Sequence, residues 1–153
     1  MAASCRASFL LCLLFVLLPW TNATNVQYCD HSADYGVKVT GVNISPEPVI
    51  SGKPATFSIS ATTDKPISQG KVVIDVFFFG VLIHKETHDL CEETTCPVVS
   101  GKFVLSHTQS LPGFTPPGMY TLKMSMVVGP DDQTLTCITF AFRIKFGSSV
   151  ADS

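Results

Sequence analysis

Cysteines offer the most specific chemistry in this sequence. Cys91 and Cys96 bracket the acidic segment Glu92-Glu93-Thr94-Thr95, which keeps the two thiols close together along the chain. Such a pair has little structural use in a reducing cytosol, whereas in an oxidising compartment it closes a turn covalently. We predict that this pair closes a hairpin in a small secreted β-domain.

The N-terminal segment indicates the same compartment. Arg6 precedes an apolar run from Phe9 to Leu18, Pro19 ends that run, and Thr21-Asn22-Ala23 offers small residues for cleavage. This is the pattern of a secretory signal peptide, and the run is well short of the roughly 20 residues that a membrane-spanning helix needs. We therefore expect residues 1–23 to be a signal peptide and residues 24–153 to be one domain, located outside the cell or in the vacuolar, lysosomal or endoplasmic reticulum lumen.

Removal of the leader also removes Cys5 and Cys12. The remaining cysteines allow three connectivities, and sequence alone does not choose strictly among them. The short separation favours Cys91–Cys96, which leaves Cys29–Cys137 to join the start of the domain to its last strand.

Histidines close to these cysteines raise the question of a metal or an enzyme. His84 and His88 are four residues apart, which on a strand at about 3.3 Å per residue is too far for two imidazoles on one zinc ion, with or without Cys91. The Ser106-His107 pair lacks the Gly-x-Ser-x-Gly context of a nucleophile elbow. We expect no metal, no cofactor other than a bound ligand, and no catalytic residues; these histidines are expected to form structural hydrogen bonds or to lie near a portal.

Apolar residues alternate with polar ones along most of the mature chain, as in half-buried strands. The alternating rows are Ala55 to Ala61, Val72 to Phe78, Tyr120 to Val128 and Ile138 to Phe146. Turns rich in Pro and Gly separate them, with Pro116-Pro117-Gly118 as the clearest. This predicts an all-β sandwich. Between Val72 and Ile83, apolar residues occupy both odd-numbered and even-numbered positions. The pattern therefore does not decide which of the two sets faces the interior.

Charge excludes one class of partner. The formal net charge is −2 and charged residues make up 14% of the chain, without a basic cluster. Binding to nucleic acid calls for Lys and Arg gathered on one face, so we expect no nucleic-acid partner. We expect a monomer.

Several motifs together resemble the ML family of secreted lipid-recognition domains. They are Cys29, Val42 to Pro46, Gly52-Lys53-Pro54, His84 to Cys96 (HKETHDLCEETTC), Leu111 to Met124 (LPGFTPPGMYTLKM) and Leu135-Thr136-Cys137. Within that family the chain is most similar to plant-type phosphatidylglycerol/phosphatidylinositol transfer proteins, and it is related to the sterol-transfer protein of Niemann-Pick type C disease. Pro46-Glu47-Pro48-Val49 replaces a disulfide of the sterol carrier, so sterol preference does not carry over automatically.

The resemblance implies an immunoglobulin-like sandwich of two antiparallel sheets with an internal lipid cavity. The inward rows would line it: Phe57, Ile59, Ile74, Val76, Phe78, Leu122, Met124, Met126, Phe140, Phe142 and Ile144. A filled core would give the same rows, so a cavity rests on the resemblance. By analogy, Phe77, Phe79, Gly80 and Val81 would rim the portal and touch membranes.

Two functions follow from this resemblance. The first is a non-enzymatic carrier that holds a phospholipid or a sterol and moves it between membranes through transient contact with their surfaces. The alternative is a recognition module that presents lipid to a receptor or a hydrolase.

Overall fold

The computed structural model describes residues 24–147. The predicted signal peptide lies outside the described residues. Nine strands and one short helix follow one another in the described part of the chain. They are β1 (Val26–Tyr28), β2 (Val37–Ser45), β3 (Val49–Ile50), β4 (Pro54–Thr63), β5 (Lys71–Phe78), β6 (Val81–Asp89), α1 (Leu90–Glu93), β7 (Gly101–Ser110), β8 (Gly118–Val128) and β9 (Gln133–Lys145).

The strands form two sheets that enclose the core. The larger sheet has the order β1-β9-β8-β5-β6, with β3 also paired to β9, and the smaller sheet has the order β2-β4-β7. Every strand pair is antiparallel except the two-residue parallel contact between β3 and β9. The predicted all-β sandwich of two sheets is confirmed, with β6 and β7 each at a sheet edge.

Alternation along the strands sets which side chains face the core. In β4 the residues from Ala55 to Ala61 alternate between buried and more exposed positions, as predicted. In β9 the inward row runs from Ile138 to Ile144. The expectation that Phe146 continues this row is wrong, because β9 ends at Lys145 and Phe146 is 59% exposed.

The hairpin between β5 and β6 turns at Phe79 and Gly80. Both residues have positive φ, +49° and +75°, as the central residues of a type I′ hairpin turn require. Gly80 adopts this conformation without strain because it has no side chain. A bulge between Val76 and Phe77 shifts the register just before the turn.

Both predicted disulfides are present. Cys29–Cys137 joins the residue after β1 to β9, with 5.4 Å between the Cα atoms, and Cys91–Cys96 has a Cα separation of 5.3 Å. The expectation that the second bridge closes a β-hairpin is wrong. Asp89 caps a helical turn by accepting a hydrogen bond from the Cys91 amide at 2.8 Å, so the bridge joins α1 to the following loop.

Between residues 24 and 147, no helix combines the length and the apolar character needed to cross a membrane.

Candidate functional site

An apolar cavity lies between the two sheets at one end of the sandwich. Its volume is about 420 Å³, within the range of small-molecule pockets. Its walls are formed by residues in the first half of β4 and β8, residues in the middle of β6, residues towards the ends of β5, β7 and β9, and the loop between β7 and β8. The cavity thus lies at the end of the sandwich that the loop between β7 and β8 covers.

Six of the residues that the sequence predicted for a cavity line this one. They are Phe57, Ile74, Val76, Leu122, Phe142 and Ile144. Ile74 and Val76 settle the parity that the sequence left open, because this row of β5 faces the interior while Val73 and Phe77 lie on the other face of the strand.

The other five expected lining residues do not line the cavity. Ile59, Met124, Met126 and Phe140 belong to the same inward rows but are buried in the packed hydrophobic core. Met126 is fully buried. Phe78 is half-buried near the cavity mouth, where its ring stacks on Tyr120 with 4.5 Å between centroids. Alternation identifies inward residues but not their distance from the open end.

The loop between β7 and β8 supplies a wall that the cavity predictions missed. Leu111, Phe114 and Pro116 line the cavity together with Tyr120. The Tyr120 hydroxyl donates a hydrogen bond to the Pro116 carbonyl at 2.7 Å, and burial raises the pKa of Tyr120. The Ser51 hydroxyl donates to the Thr115 carbonyl at 2.8 Å. These two bonds fix the loop against the sandwich.

Large apolar side chains are exposed around the mouth of the cavity. Phe79 at the tip of the β5–β6 hairpin is 88% exposed, and Phe114 in the loop is 84% exposed. Val81 and Ile83 follow on β6, and Ile83 lines the cavity itself. Of the expected portal residues, Phe79, Gly80 and Val81 are exposed, while Phe77 is half-buried in β5.

A polar cluster forms one side of the cavity wall. His84, Glu86 and His88 share the inner face of β6, and His107 reaches them from β7. Glu86 contacts all three imidazoles, at 3.1 Å from His107, 3.3 Å from His88 and 3.4 Å from His84. Glu93 of α1 lies on the far side of His107, with 3.1 Å between Oε2 and Nδ1.

Glu86 is the electrostatic centre of this cluster. Burial acts to raise the pKa of Glu86, but the neighbouring His107, His84 and His88 outweigh burial and hold that pKa below its ordinary value. Glu86 is therefore a carboxylate at neutral pH. The sequence prediction treated His84, His88 and Cys91 as the candidate set and missed His107 and both glutamates. Cys91 is in a disulfide and is not available as a ligand.

A second depression, of about 600 Å³, lies at the opposite end of the strands. Its walls include Asp34, Asp64 and Lys65. Charged groups of this kind do not favour a hydrocarbon chain, because a charge in an apolar contact loses its hydration. The apolar cavity is therefore the candidate site for a hydrophobic ligand.

Fold and site together define a class: disulfide-bonded β-sandwiches with an apolar cavity that opens between the ends of two sheets. The family model described as the ML domain matches residues 23–144. The chain belongs to that family, as the motifs predicted.

Similar proteins cover most of the chain. An MD-2-related lipid-recognition protein of Arabidopsis thaliana, ROSY1, is 33% identical over 151 residues, which cover 92% of this chain and 92% of the relative. A phosphatidylglycerol/phosphatidylinositol transfer protein of Aspergillus oryzae is 30% identical over 127 residues, which cover 79% of this chain and 71% of the relative. These relatives are lipid-recognition and lipid-transfer proteins by name.

A solved structure has the same fold. The crystal structure of a Niemann-Pick type C2 protein from Japanese carpenter ant superimposes with a TM-score of 0.60 at 16% identity, and the match covers 78% of this chain and 99% of that one.

Proposed function

We propose that this protein is a non-enzymatic lipid carrier that takes up one phospholipid, shields its acyl chains in the cavity between the sheets, and releases it at another membrane. The observation that carries the proposal is an apolar cavity of about 420 Å³ whose mouth is surrounded by exposed Phe79, Val81 and Phe114. The similarity to phosphatidylglycerol/phosphatidylinositol transfer proteins supports an anionic phospholipid as the cargo.

Hydrophobic burial supplies the affinity. Each methylene moved from water into the cavity contributes about 0.8 kcal/mol, so part of an acyl chain supplies several kcal/mol without a precisely positioned polar partner. A bilayer offers its lipids a similar environment, which makes uptake and release reversible. Carrier function depends on that balance.

Membrane contact is assigned to the exposed apolar residues at the mouth. Clusters of exposed apolar side chains commonly mark membrane or protein contacts. The formal net charge of −2 favours apolar contact over attraction to anionic head groups. The exposed apolar residues and the cavity mouth then face the bilayer together. A lipid can therefore pass between the bilayer and the cavity without crossing water.

The Ser106-His107 pair is not arranged for catalysis. Ser106 is exposed and His107 is buried, because neighbouring residues of β7 face opposite sides of the sheet.

The two disulfides favour an oxidising compartment, and the pattern of residues 1–23 favours entry through the secretory pathway. We expect the carrier to act as a monomer.

Transfer between vesicles tests the proposal. Donor vesicles would carry a fluorescent phosphatidylglycerol or phosphatidylinositol, or a fluorescent sterol, and transfer to unlabelled acceptors would be followed over time. Val76 is half-buried and lines the cavity, so Val76→Trp should fill it and lower the transfer rate at least tenfold while the protein stays folded. Val104→Trp, on the exposed face of β7, is the matched control and should transfer normally.

The outcomes separate the alternatives. A folded Val76→Trp protein that transfers lipid at the normal rate would contradict the assignment of the cavity. Faster transfer of the sterol than of either phospholipid would contradict the proposed cargo. Binding without transfer would favour a module that presents lipid to another protein, a function supported by the similarity to a lipid-recognition protein.

A further inference from the structure

We propose that Glu86, His88 and His107 form a binding site for one divalent transition-metal cation, with Zn²⁺ as the expected ion. A ligand atom from each of these residues lies within 4.8 Å of the others. Glu86 and His88 belong to β6, at the edge of the larger sheet, and His107 belongs to β7, at the edge of the smaller one. The site therefore connects the two sheets beside the cavity mouth.

Two of the donor distances already match a tetrahedral metal. His107 Nε2 lies 3.1 Å from Glu86 Oε1, and His88 Nε2 lies 3.3 Å from Glu86 Oε2. With zinc–ligand bonds of about 2.0–2.2 Å, neighbouring donors of a tetrahedral site are about 3.3 Å apart. These contacts involve the two different oxygens of Glu86, and the three ligand atoms, which lie within 4.8 Å of one another, draw together when the ion enters.

The two imidazole nitrogens that face Glu86 have no hydrogen-bond partner among the described residues. Nε2 of His88 and Nε2 of His107 are both buried, and neither forms a hydrogen bond of acceptable geometry despite the nearby carboxylate. The His107 side chain is only 9% exposed. Buried polar atoms are normally paired, so two unpaired nitrogens beside one carboxylate indicate a missing partner.

Glu93 holds His107 in the form that a metal needs. Its carboxylate oxygens lie 3.1 and 3.3 Å from Nδ1 of His107 and accept a hydrogen bond from that nitrogen. A proton on Nδ1 leaves the lone pair of Nε2 free for a cation. Histidine ligands of zinc commonly donate their second nitrogen to a carboxylate in this way. Glu93 also lies 3.8 Å from Nδ1 of His88, which is too long for a hydrogen bond, so it orients His107 only.

The ligand types select the ion. Ca²⁺ and Mg²⁺ prefer all-oxygen sites, whereas two imidazoles and one carboxylate suit Zn²⁺. A divalent cation would also balance the charges of Glu86 and Glu93, whose side chains are 20% and 9% exposed. His84 and His88 on a single strand are too far apart to share one zinc ion. The folded chain provides a ligand from a second strand instead.

Zinc titration tests the site without any lipid. The full chain, stripped with a chelator, would be titrated with ZnCl₂ by calorimetry, and its thermal unfolding and its Co²⁺ absorption spectrum would be recorded. We expect one Zn²⁺ per chain, a higher melting temperature, and the intense visible absorption of four-coordinate Co²⁺. No binding, or a weak spectrum typical of hydrated Co²⁺, would overturn the proposal, whatever the outcome of lipid transfer.

Variants locate the ion. His88→Gln and His107→Gln should each weaken Zn²⁺ binding at least tenfold, and Glu93→Gln should weaken it about 10–100-fold because it removes the support of His107. His31 is exposed and lies outside the cluster, so His31→Gln is the matched control and should bind like the wild type. Should His107→Gln fail to fold, His88→Gln on the edge strand decides. Normal Zn²⁺ affinity in folded His88→Gln would mean that the cluster is only an ion-pair network.

Discussion

Phe79 is held in a backbone conformation that its side chain disfavours. Its φ is +49° at the tip of the β5–β6 hairpin, and its ring is 88% exposed. A left-handed conformation costs a residue other than glycine about 1–2 kcal/mol, and the edge contact of the ring with Phe78, at 4.5 Å between centroids, offsets only part of that cost. Asn or Asp would suit this position better for folding alone. The choice of Phe is therefore consistent with a role in contact with membranes.

Phe79→Asn should separate stability from transfer. Asn tolerates positive φ, and this gain offsets the lost ring contact with Phe78, so the free energy of unfolding in urea should change by less than about 1 kcal/mol. The rate of lipid transfer between vesicles should fall severalfold, because the hairpin tip loses its apolar contact. Val99→Asn is the control, since Val99 is 68% exposed beyond the opposite end of the sandwich. A stable Phe79→Asn protein that transfers lipid at the normal rate would locate the membrane contact elsewhere, with Phe114 as the next candidate.

At the same scale, the sequence predicted which side chains face inward but not how deep they lie. Leu122 lines the cavity and Met126, on the same row, is fully buried in the core. Nothing in an alternating pattern marks the point where two sheets part. His107 was missed as a partner of Glu86 because the contact joins strands 21 residues apart, 107 minus 86.

At the scale of elements, strands with uninterrupted alternation were predicted and irregular ones were not. In β2 a register shift between Val39 and Gly41 changes the parity of the inward row, so no single alternation runs through it. In β7 the inward row contains His107 and Gln109, while Val104 faces outward, which hides the pattern. The short helix α1 depends on the Asp89 cap and the Cys91–Cys96 bridge, which the sequence had suggested as a hairpin.

The two disulfides should differ in their effect on stability. Cys29–Cys137 spans 108 residues and Cys91–Cys96 spans 5. In the chain-entropy model the longer loop contributes about 5 kcal/mol and the shorter about 2 kcal/mol. Replacing both cysteines of the first bridge by Ser should therefore lower the free energy of unfolding in urea more than the same change at the second. An equal or opposite order would mean that the long bridge does not restrain the unfolded chain as the model assumes.

At the scale of the whole molecule, the interior of the sandwich differs along the strands. Packed side chains such as Met126 fill one part of the interior, and the other part is a cavity whose mouth is surrounded by exposed apolar groups. The fold could be predicted from alternation and family motifs together. The division into a filled part and a cavity required the positions of both sheets, because it depends on how far apart they are at each level.

Native mass spectrometry of the protein purified from its own source tests the central claim most directly, because it weighs the protein with any ligand it carries. We predict one phospholipid with an anionic head group per chain, and a protein without lipid when Val76→Trp is purified in the same way. A wild-type protein that carries no lipid, or a folded Val76→Trp protein that retains as much lipid as the wild type, would contradict the assignment of this cavity to a lipid carrier.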